Sequence, residues 1–595
     1  MAEYQNPQQE PGGEKRLLVV FLATFVLMLL MQPLLKKYFP QPASTPAQTQ
    51  TSSTSSQTSP QNSASPPAES AAPPPVAPSA IQQASSETET VIENDLYRIT
   101  FTNKGAQVKS WILKKFDNDS ENGPLDLVNA TAAERFGYPL SLWTYDEGLR
   151  NRLSSALYVS SQSGKVTSPA TITFEYSDQD LAVKKTFTFD HTYVVTVETS
   201  ATYKGTNLSA LPAWPSGFGD QITPAFYASS LVDYQFNKNI ERIPARCGFS
   251  LFSKCTQVNG GATLPGPFNW AGPTDQYFAA VFIPDDPANV AMVTLNKSMQ
   301  IPRDPGKPDS KEVVPVDVVG AAVGSLHGTT SVRVFVGPKE LEVLQKVSVP
   351  SVSGGDSDLN GLVDYGWWGI IAKPLFLWLK WTYRHWIANW GWAIVIQTII
   401  ISAVLLPLRI TQMKSMLKMQ RIQPQIKSIQ EKYKKYSLKD PRKAGMNEEI
   451  GALYKKEGVN PAGGCLPLLI QMPFIFAYYR MLGTALDLRH AHWLWVKDLS
   501  AADPIYILPI LMVISSLVTQ RMTPQTGMDP SQQKMMNVMM PLMMGFIFFR
   551  LAAGLNLYYA VVNLIGIAQQ SVMNRTKLGQ EMREIMAKRA RKKDK

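Results

Sequence analysis

Five runs of almost purely apolar residues, at about 388–408, 462–484, 504–520, 535–551 and 555–573, crowd into the C-terminal part of this 595-residue chain. Runs of this length reach the size needed to cross the hydrocarbon of a bilayer. A mean hydropathy of only -0.11 shows that strongly polar regions are averaged with them. Such segregation predicts an α-helical membrane protein with a large aqueous part. The third and fourth runs are short: at about 1.5 Å per residue, 17 residues reach only about 25 Å, so either the bilayer thins around them or flanking polar groups help. A sixth candidate lies at the start, where Lys15-Arg16 precede an apolar stretch from Leu17 to Leu35. It reads as a retained anchor over 1–38, with a cleaved signal peptide as the alternative.

Between anchor and helices the texture changes twice. Residues 39–90 are Pro, Ser, Thr, Gln and Ala with few large apolar side chains, so they bury too little surface to offset ordering entropy and read as a disordered tether. From Val91 apolar and polar residues alternate, as in Tyr97, Ile99 and Phe101 and again in Ile172, Phe174 and Tyr176. Period two marks half-buried strands, and with no helical periodicity until about Pro338 the segment 91–350 is expected to be an antiparallel β-sandwich. Cys247 and Cys255 lie close together within it, and a disulfide between them is expected if that domain is extracytoplasmic.

Gly366–Trp392 holds seven of the thirteen tryptophans, and Lys373, Lys380 and Arg384 fall on one helical face there. Residues 360–387 therefore predict an amphipathic helix lying in the membrane interface, its cations hydrated among headgroups. Residues 411–460 carry twelve Lys/Arg against five Asp/Glu, and 574–595 carry nine against three. The positive-inside bias places both in the cytoplasm, and span parity then puts both termini inside and the sandwich in the periplasm. Within 411–460, Ile422, Ile426, Ile429, Tyr433 and Tyr436 recur at four-three spacing, and Met446, Ile450 and Leu453 repeat the pattern after Asp440-Pro441. Two amphipathic helices paired as a hairpin satisfy both stripes.

Enzymatic chemistry has little to stand on. His490 and His492 sit beside Trp493 without carboxylates at ligand spacing, and the Gly463-Gly464 pair precedes a span, where close helix packing explains it. Neither a metal nor a cofactor is expected. A secondary transporter is disfavoured because no Asp or Glu lies centrally in any span, and a membrane-anchored glycan-binding protein leaves five spans without purpose.

The chain resembles the YidC/Oxa/Alb insertase family, in its Gram-negative form with a large periplasmic domain. The resemblance is carried by Asn389-Trp390-Gly391, Pro407-Leu408, Met416 through Gln423-Pro424, and Val459 to Cys465 leading into Leu469-Ile470-Gln471-Met472-Pro473. Gly554-Leu555, Leu557-Tyr558-Tyr559, Asn563 and Gln569-Gln570 complete it. It implies an insertase and chaperone, with 388–573 as a five-helix core around a hydrophilic groove open to cytoplasm and lipid. A polar stretch of substrate would enter the groove while its apolar segment slides along the outer helices. Implied partners are nascent membrane proteins, the translating ribosome, the Sec translocon and the lipid bilayer of the inner membrane, with no small-molecule substrate.

Groove candidates are the polar residues within the runs: Gln397, Thr398, Ser402, Arg409, Gln471 with Met472, Ser515, Ser516, Thr519, Tyr558, Tyr559 and Asn563. Hydrogen bonding between packed helices is the competing reading for each Ser, Thr and Asn. The family places an arginine five residues before the Pro-Leu pair, and here that position is Ser402. A hydrated polar face from Gln397, Thr398 and Ser402 is expected to stand in for it, with Arg409 either supplying charge at the groove's mouth or, as the preferred role, snorkelling to headgroups. Met535, Met536, Met539, Met540, Met543 and Met544 repeat in pairs every four residues, and their adaptable thioethers suit a surface along which varied apolar segments slide.

Overall fold

The computed structural model describes residues 81–577, apart from residue 120 and the segments 237–238, 248–254, 304–311, 352–355, 434–441, 459–465 and 523–529, together with residues 580 and 584. The expected anchor at 1–38, most of the tether at 39–90, the run Val459–Cys465 and most of the basic tail lie outside the described residues.

Strands form where the period is two. Along Leu181–Phe189 every odd-numbered residue is buried, and the strand pairs antiparallel with Ala170–Ser177 on one side and Val194–Tyr203 on the other. The same large sheet continues through Thr330–Pro338, Phe278–Pro284, Trp270–Thr274 and Leu231–Phe236 to Asn239–Pro244 at its edge. Phe278–Pro284 breaks the alternation: all seven residues are buried, because this strand is covered on both faces. A five-stranded sheet built around Tyr97–Thr102 and Gln107–Asp117 faces the large one. Phe101 meets Phe174, Phe187 and Phe189 across the gap at centroid distances of 5.8, 4.8 and 5.9 Å. A second five-stranded sheet carries the long hairpin Ala291–Pro302 with Val313–Gly324.

Two features depart from a purely antiparallel, helix-free sandwich. Glu89–Glu93 pairs parallel with Gly164–Thr167. Short helices occur at Ala130–Phe136, Glu147–Ser155 and Pro224–Ala228, each started by a side-chain cap from Asn129, Asp146 or Thr223. They run for about two and a half turns or fewer, too few to leave a periodic stripe, whereas their caps are readable signals.

Helices dominate after residue 366: α1 Gly369–His385, α2 Trp390–Val404, α3 Leu406–Lys432, α4 Arg442–Lys456, α5 Leu466–Thr484, α6 Ile507–Met522, α7 Pro530–Phe548 and α8 Ala553–Arg575. Asn389 caps α2 by accepting from the Trp392 N–H, and its amide donates to the His492 carbonyl, so the chain turns at a fixed point. At Gly391 a Cβ would fall 2.1 Å from the Trp493 ring, so only glycine permits this approach. Ile422 and Ile426 of α3 pack with Ile450, Leu453 and Tyr454 of α4. Tyr436 lies outside the described residues. Among the described residues no single helix is long and apolar enough to cross a membrane, although α1 and α2, bent by 119°, pass together; α6 and Val538–Phe548 are apolar but shorter.

The cationic stripe of α1 is used differently from the expected headgroup contact. Lys380, with only 11% of its side chain exposed, pairs with Asp487 at 3.0 Å, and Arg384 pairs with Glu342 at 2.5 Å. Arg480 of α5 binds Asp364, and the Gln276 amide donates to the Gly483 carbonyl at 2.6 Å. These contacts fasten the β-rich part to the helices. On α1 and at its two ends, Trp367, Ile370, Leu377, Trp381 and Trp386 are exposed.

One charge sits inside the sandwich itself. Lys185 points inward among phenylalanines, fully buried, and its ammonium donates to the carbonyls of Gly105, Ala106 and Leu140. All three acceptors belong to residues with positive φ, two of them non-glycine, so the lysine holds strained backbone that costs about 1 kcal/mol or more per residue. Burial pushes its ammonium down to about 7. Lys185→Met should leave three buried carbonyls without a donor and destabilise the β-rich part by roughly 2–4 kcal/mol. Between about pH 7 and the ordinary lysine value of about 10.4 the unfolded chain binds a proton that the folded chain does not, so Lys185 makes stability rise with pH over that window. Between pH 6.5 and 9 the urea midpoint of the full chain in detergent should shift upward more in the parent than in Lys185→Met, the difference being the Lys185 contribution.

Candidate functional site

Where α2, α3, α5 and α8 meet, a recess of about 50 Å³ opens, room for a few water molecules. Its polar lining comes from Thr398, Ser402, Arg409, Gln471 and Tyr558, and its apolar lining includes Ile401, Leu405, Phe474 and Val562. Local chemistry explains the shape. Pro407 lacks an N–H, so the helical ladder is interrupted at Leu405, where α2 ends and α3 begins. Ser402 thus lies one turn before the break, and Arg409 one turn after it.

Arg409 does not reach outward. Its guanidinium turns into the recess, donates to Gln569 Oε1 at 2.8 Å and lies beside Gly566, where a Cβ would come within 3.1 Å of Nη1. Snorkelling is therefore overturned, for a physical reason: α8 offers a neutral acceptor and a missing side chain at the depth the guanidinium reaches. Among the described residues, none that lines the recess is acidic.

Several expected groove residues belong to helix packing instead. Gln397 is fully buried; its amide donates to the Leu375 carbonyl at 2.9 Å and its oxygen accepts from Tyr478 at 2.7 Å, tying α2 to α1 and α5. Thr398 returns its hydroxyl to the Ile394 carbonyl at 2.6 Å. Asn563 donates to Ser515 and Ser516 at 3.2 and 2.8 Å, and Thr519 to the Ser515 carbonyl at 2.8 Å, a polar seam between α8 and α6. Tyr558 stacks on Tyr478 at 4.1 Å, and Tyr559 packs edge-on to Phe548. Each of these groups would be costly in apolar surroundings without its partner. Only Ser402, Arg409 and Gln471, with Thr398 and Tyr558 through their remaining surface, face the recess. Met472 is half-buried and does not line it.

Among the described residues the outer surface is apolar, and methionine supplies only part of it. The side chain of Met536 lies outside the described residues, Met540 and Met543 are half-buried, and Met544 packs on the core. Val538, Met539, Leu542 and Phe546 of α7 are exposed, as are Ile507, Ile510, Ile514 and Val518 of α6. In the β-rich part Cys247 and Cys255 form a disulfide. His490 and His492 face Asp119 and Glu121, carboxylates remote in sequence. Gln569 and Gly566 entered the sequence reading only as a motif or not at all, since what they do depends on a residue 160 positions earlier.

Residues 89–378 match the model of the YidC periplasmic domain, and residues 381–581 match that of the 60Kd inner membrane protein. The membrane protein insertase YidC of Cupriavidus necator is 40% identical over 334 residues, 56% of this chain and 55% of that protein, so that match spans about half the relative's length. The protein of the same name from Geobacter sp. strain M21 is 31% identical over 510 residues, covering 82% of this chain and 86% of the relative. That of Dechloromonas aromatica is 30% identical over 562 residues, covering 93% and 96%.

Thiol labelling separates recess from packing. In a Cys465→Ser background, cysteines at 402 and 471 should react with a membrane-impermeant maleimide in opened vesicles. A cysteine at 397 should stay at least about tenfold slower, because Gln397 is wholly enclosed.

Proposed function

Since the chain belongs to the YidC family of membrane protein insertases, we propose that it eases apolar segments of new proteins into the bilayer by giving their polar flanks a wet, positively charged recess within the helical core. Passing unsatisfied polar groups through hydrocarbon costs several kcal/mol each, and a recess partway across lowers that barrier without ATP or a covalent step. The observation that carries the reading is the Arg409 guanidinium turned inward beside Ser402 and Gln471, held by neutral Gln569, with no acidic residue among the described residues that line the recess. A cation without a counter-ion in such a place favours a passing carboxylate or a polar backbone.

The rest of the proposal follows from surface and charge. Helices α2, α5, α6, α7 and α8 sit in the inner membrane, with a further anchor over 1–38. The exposed apolar residues of α6 and α7 form the face along which a substrate segment slides. The shortness of α6, 16 residues, suits a locally thinned bilayer. Both termini and the α3–α4 pair face the cytoplasm, where the excess of Lys and Arg meets the translating ribosome and anionic headgroups, and the β-rich part faces the periplasm. Work alongside the Sec translocon belongs to the same reading.

Complementation of an insertase-depleted bacterium tests it. The parent chain, shown by fractionation to reach the membrane, should restore growth. Arg409→Ala should lower insertion of a substrate with an acidic translocated segment by at least about fivefold and of a neutral one by less. Ser402→Arg placed on top should recover much of the loss, since it returns a guanidinium to the same recess. Equal insertion of both substrates by the parent and by Arg409→Ala would remove the charge from the mechanism.

A further inference from the structure

The connection between α5 and α6 runs across the face of the β-rich part, and from it Arg489 inserts into the sandwich with 4% of its side chain exposed. Its guanidinium donates to the Asp117 carbonyl at 2.9 Å and to Asp119 at 2.7 Å, and lies 5.9 and 5.8 Å from the ring centres of Tyr277 and Phe278. Tyr277 in turn donates to Ser500 of the same connection at 3.1 Å.

The turn that presents those two rings is shaped by Asp275. One oxygen of its carboxyl accepts the N–H groups of Tyr277 and Phe278 at 2.8 and 2.7 Å. The other oxygen is buried and receives no N–H, as does one oxygen of Asp220, whose carboxyl lies against that of Asp275. Two enclosed carboxyls in contact cannot both be ionised, and a proton held between them supplies the missing donor.

We propose that this pair makes the Arg489 contact a pH-sensitive latch, closed while Asp220 and Asp275 share a proton and loosened when it is lost. Separating two like charges displaces the turn at 275–278, and with it the cradle of Arg489. Other ionisable groups face the pair: Arg489, Asp119 and His490 from the latch, Lys339 on the Asp275 carbonyl, Tyr227, and Tyr277 with Asp498 beyond it. Burial raises both carboxyls of the pair, most strongly Asp220. An acid that holds its proton more tightly folded than unfolded contributes stability that is full below the unfolded value, about 3.9, and fades as pH rises through the folded one. Alkaline conditions therefore weaken the docking of sandwich on helices. This inference does not rest on the insertion mechanism.

Hydrogen exchange of the full chain in lipid nanodiscs, corrected for intrinsic rates, tests it at pH 5.5 and 8.5 in peptides covering 275–278 and 486–500. Opening should be at least about tenfold greater at pH 8.5 in the parent. Asp220→Asn keeps a permanent donor against Asp275 and should flatten the response to under about twofold. Should that variant lose protection along Leu181–Phe189, Asp275→Asn replaces it with the same expectation, since its amide oxygen still accepts from the turn. Arg489→Gln should open both segments at both pH values, and a His490→Gln, His492→Gln double variant should keep the parent's response. A flat parent, an undiminished response in the Asn variants, protection indifferent to Arg489→Gln, or a response removed with the histidines would each overturn the latch.

Discussion

A polar group surrounded by hydrocarbon must find a partner within the protein, and that requirement organises the helical part of this chain. Gln397 answers it with Leu375 and Tyr478, and Asn563 with Ser515 and Ser516, so these side chains are spent on holding helices together. Ser402, Gln471 and the Arg409 guanidinium collect in one place, the recess beside the break at Leu405. Its positive charge comes from Arg409, on the helix after the break, and its depth is made possible by Gly566 on the facing helix.

The β-rich part and the helices complete one another's charge pairs. Lys380, Arg480 and Arg489, all on or between helices, find carboxylates at Asp487, Asp364 and Asp119, two of them outside the helices. Removing one member of the most enclosed of these pairs, Arg489 with Asp119, costs more than the intact pair contributes, because the charge left behind is largely shut off from water. The domain arrangement is therefore specific even where it adds little net stability. Lys185 applies the same logic inside the sandwich, where carbonyl oxygens replace a carboxylate.

How much of this was legible in the sequence depended on the range of the interaction. Strands such as Tyr97–Thr102 and Ala170–Ser177 were readable because alternation is local. The helices of seven and nine residues at Ala130–Phe136 and Glu147–Ser155 were not, being too short for a stripe. Residue type marked Gln397, Ser402 and Arg409 as unusual in an apolar run, but which of them faced water depended on Tyr478 and Gln569, 81 and 160 positions away. Likewise the stripe Lys373, Lys380 and Arg384 was visible, while its partners Glu342 and Asp487 were not. A cation on a tryptophan-rich helix looks the same whether it meets a headgroup or a carboxylate brought by the fold.

The single-residue joint at Leu405 has a mechanical corollary. Helices α2 and α3 meet there without a loop, and α3 runs on for 27 residues to its contact with α4. A tilt of that arm about the joint shifts Arg409 relative to Ser402, which lie on opposite sides of it. The arm is far longer than the distance from pivot to either residue, so a large swing at its tip becomes a fine adjustment of the gap between hydroxyl and guanidinium. Whatever grips the far end of the arm holds a reducing lever on the aperture of the recess.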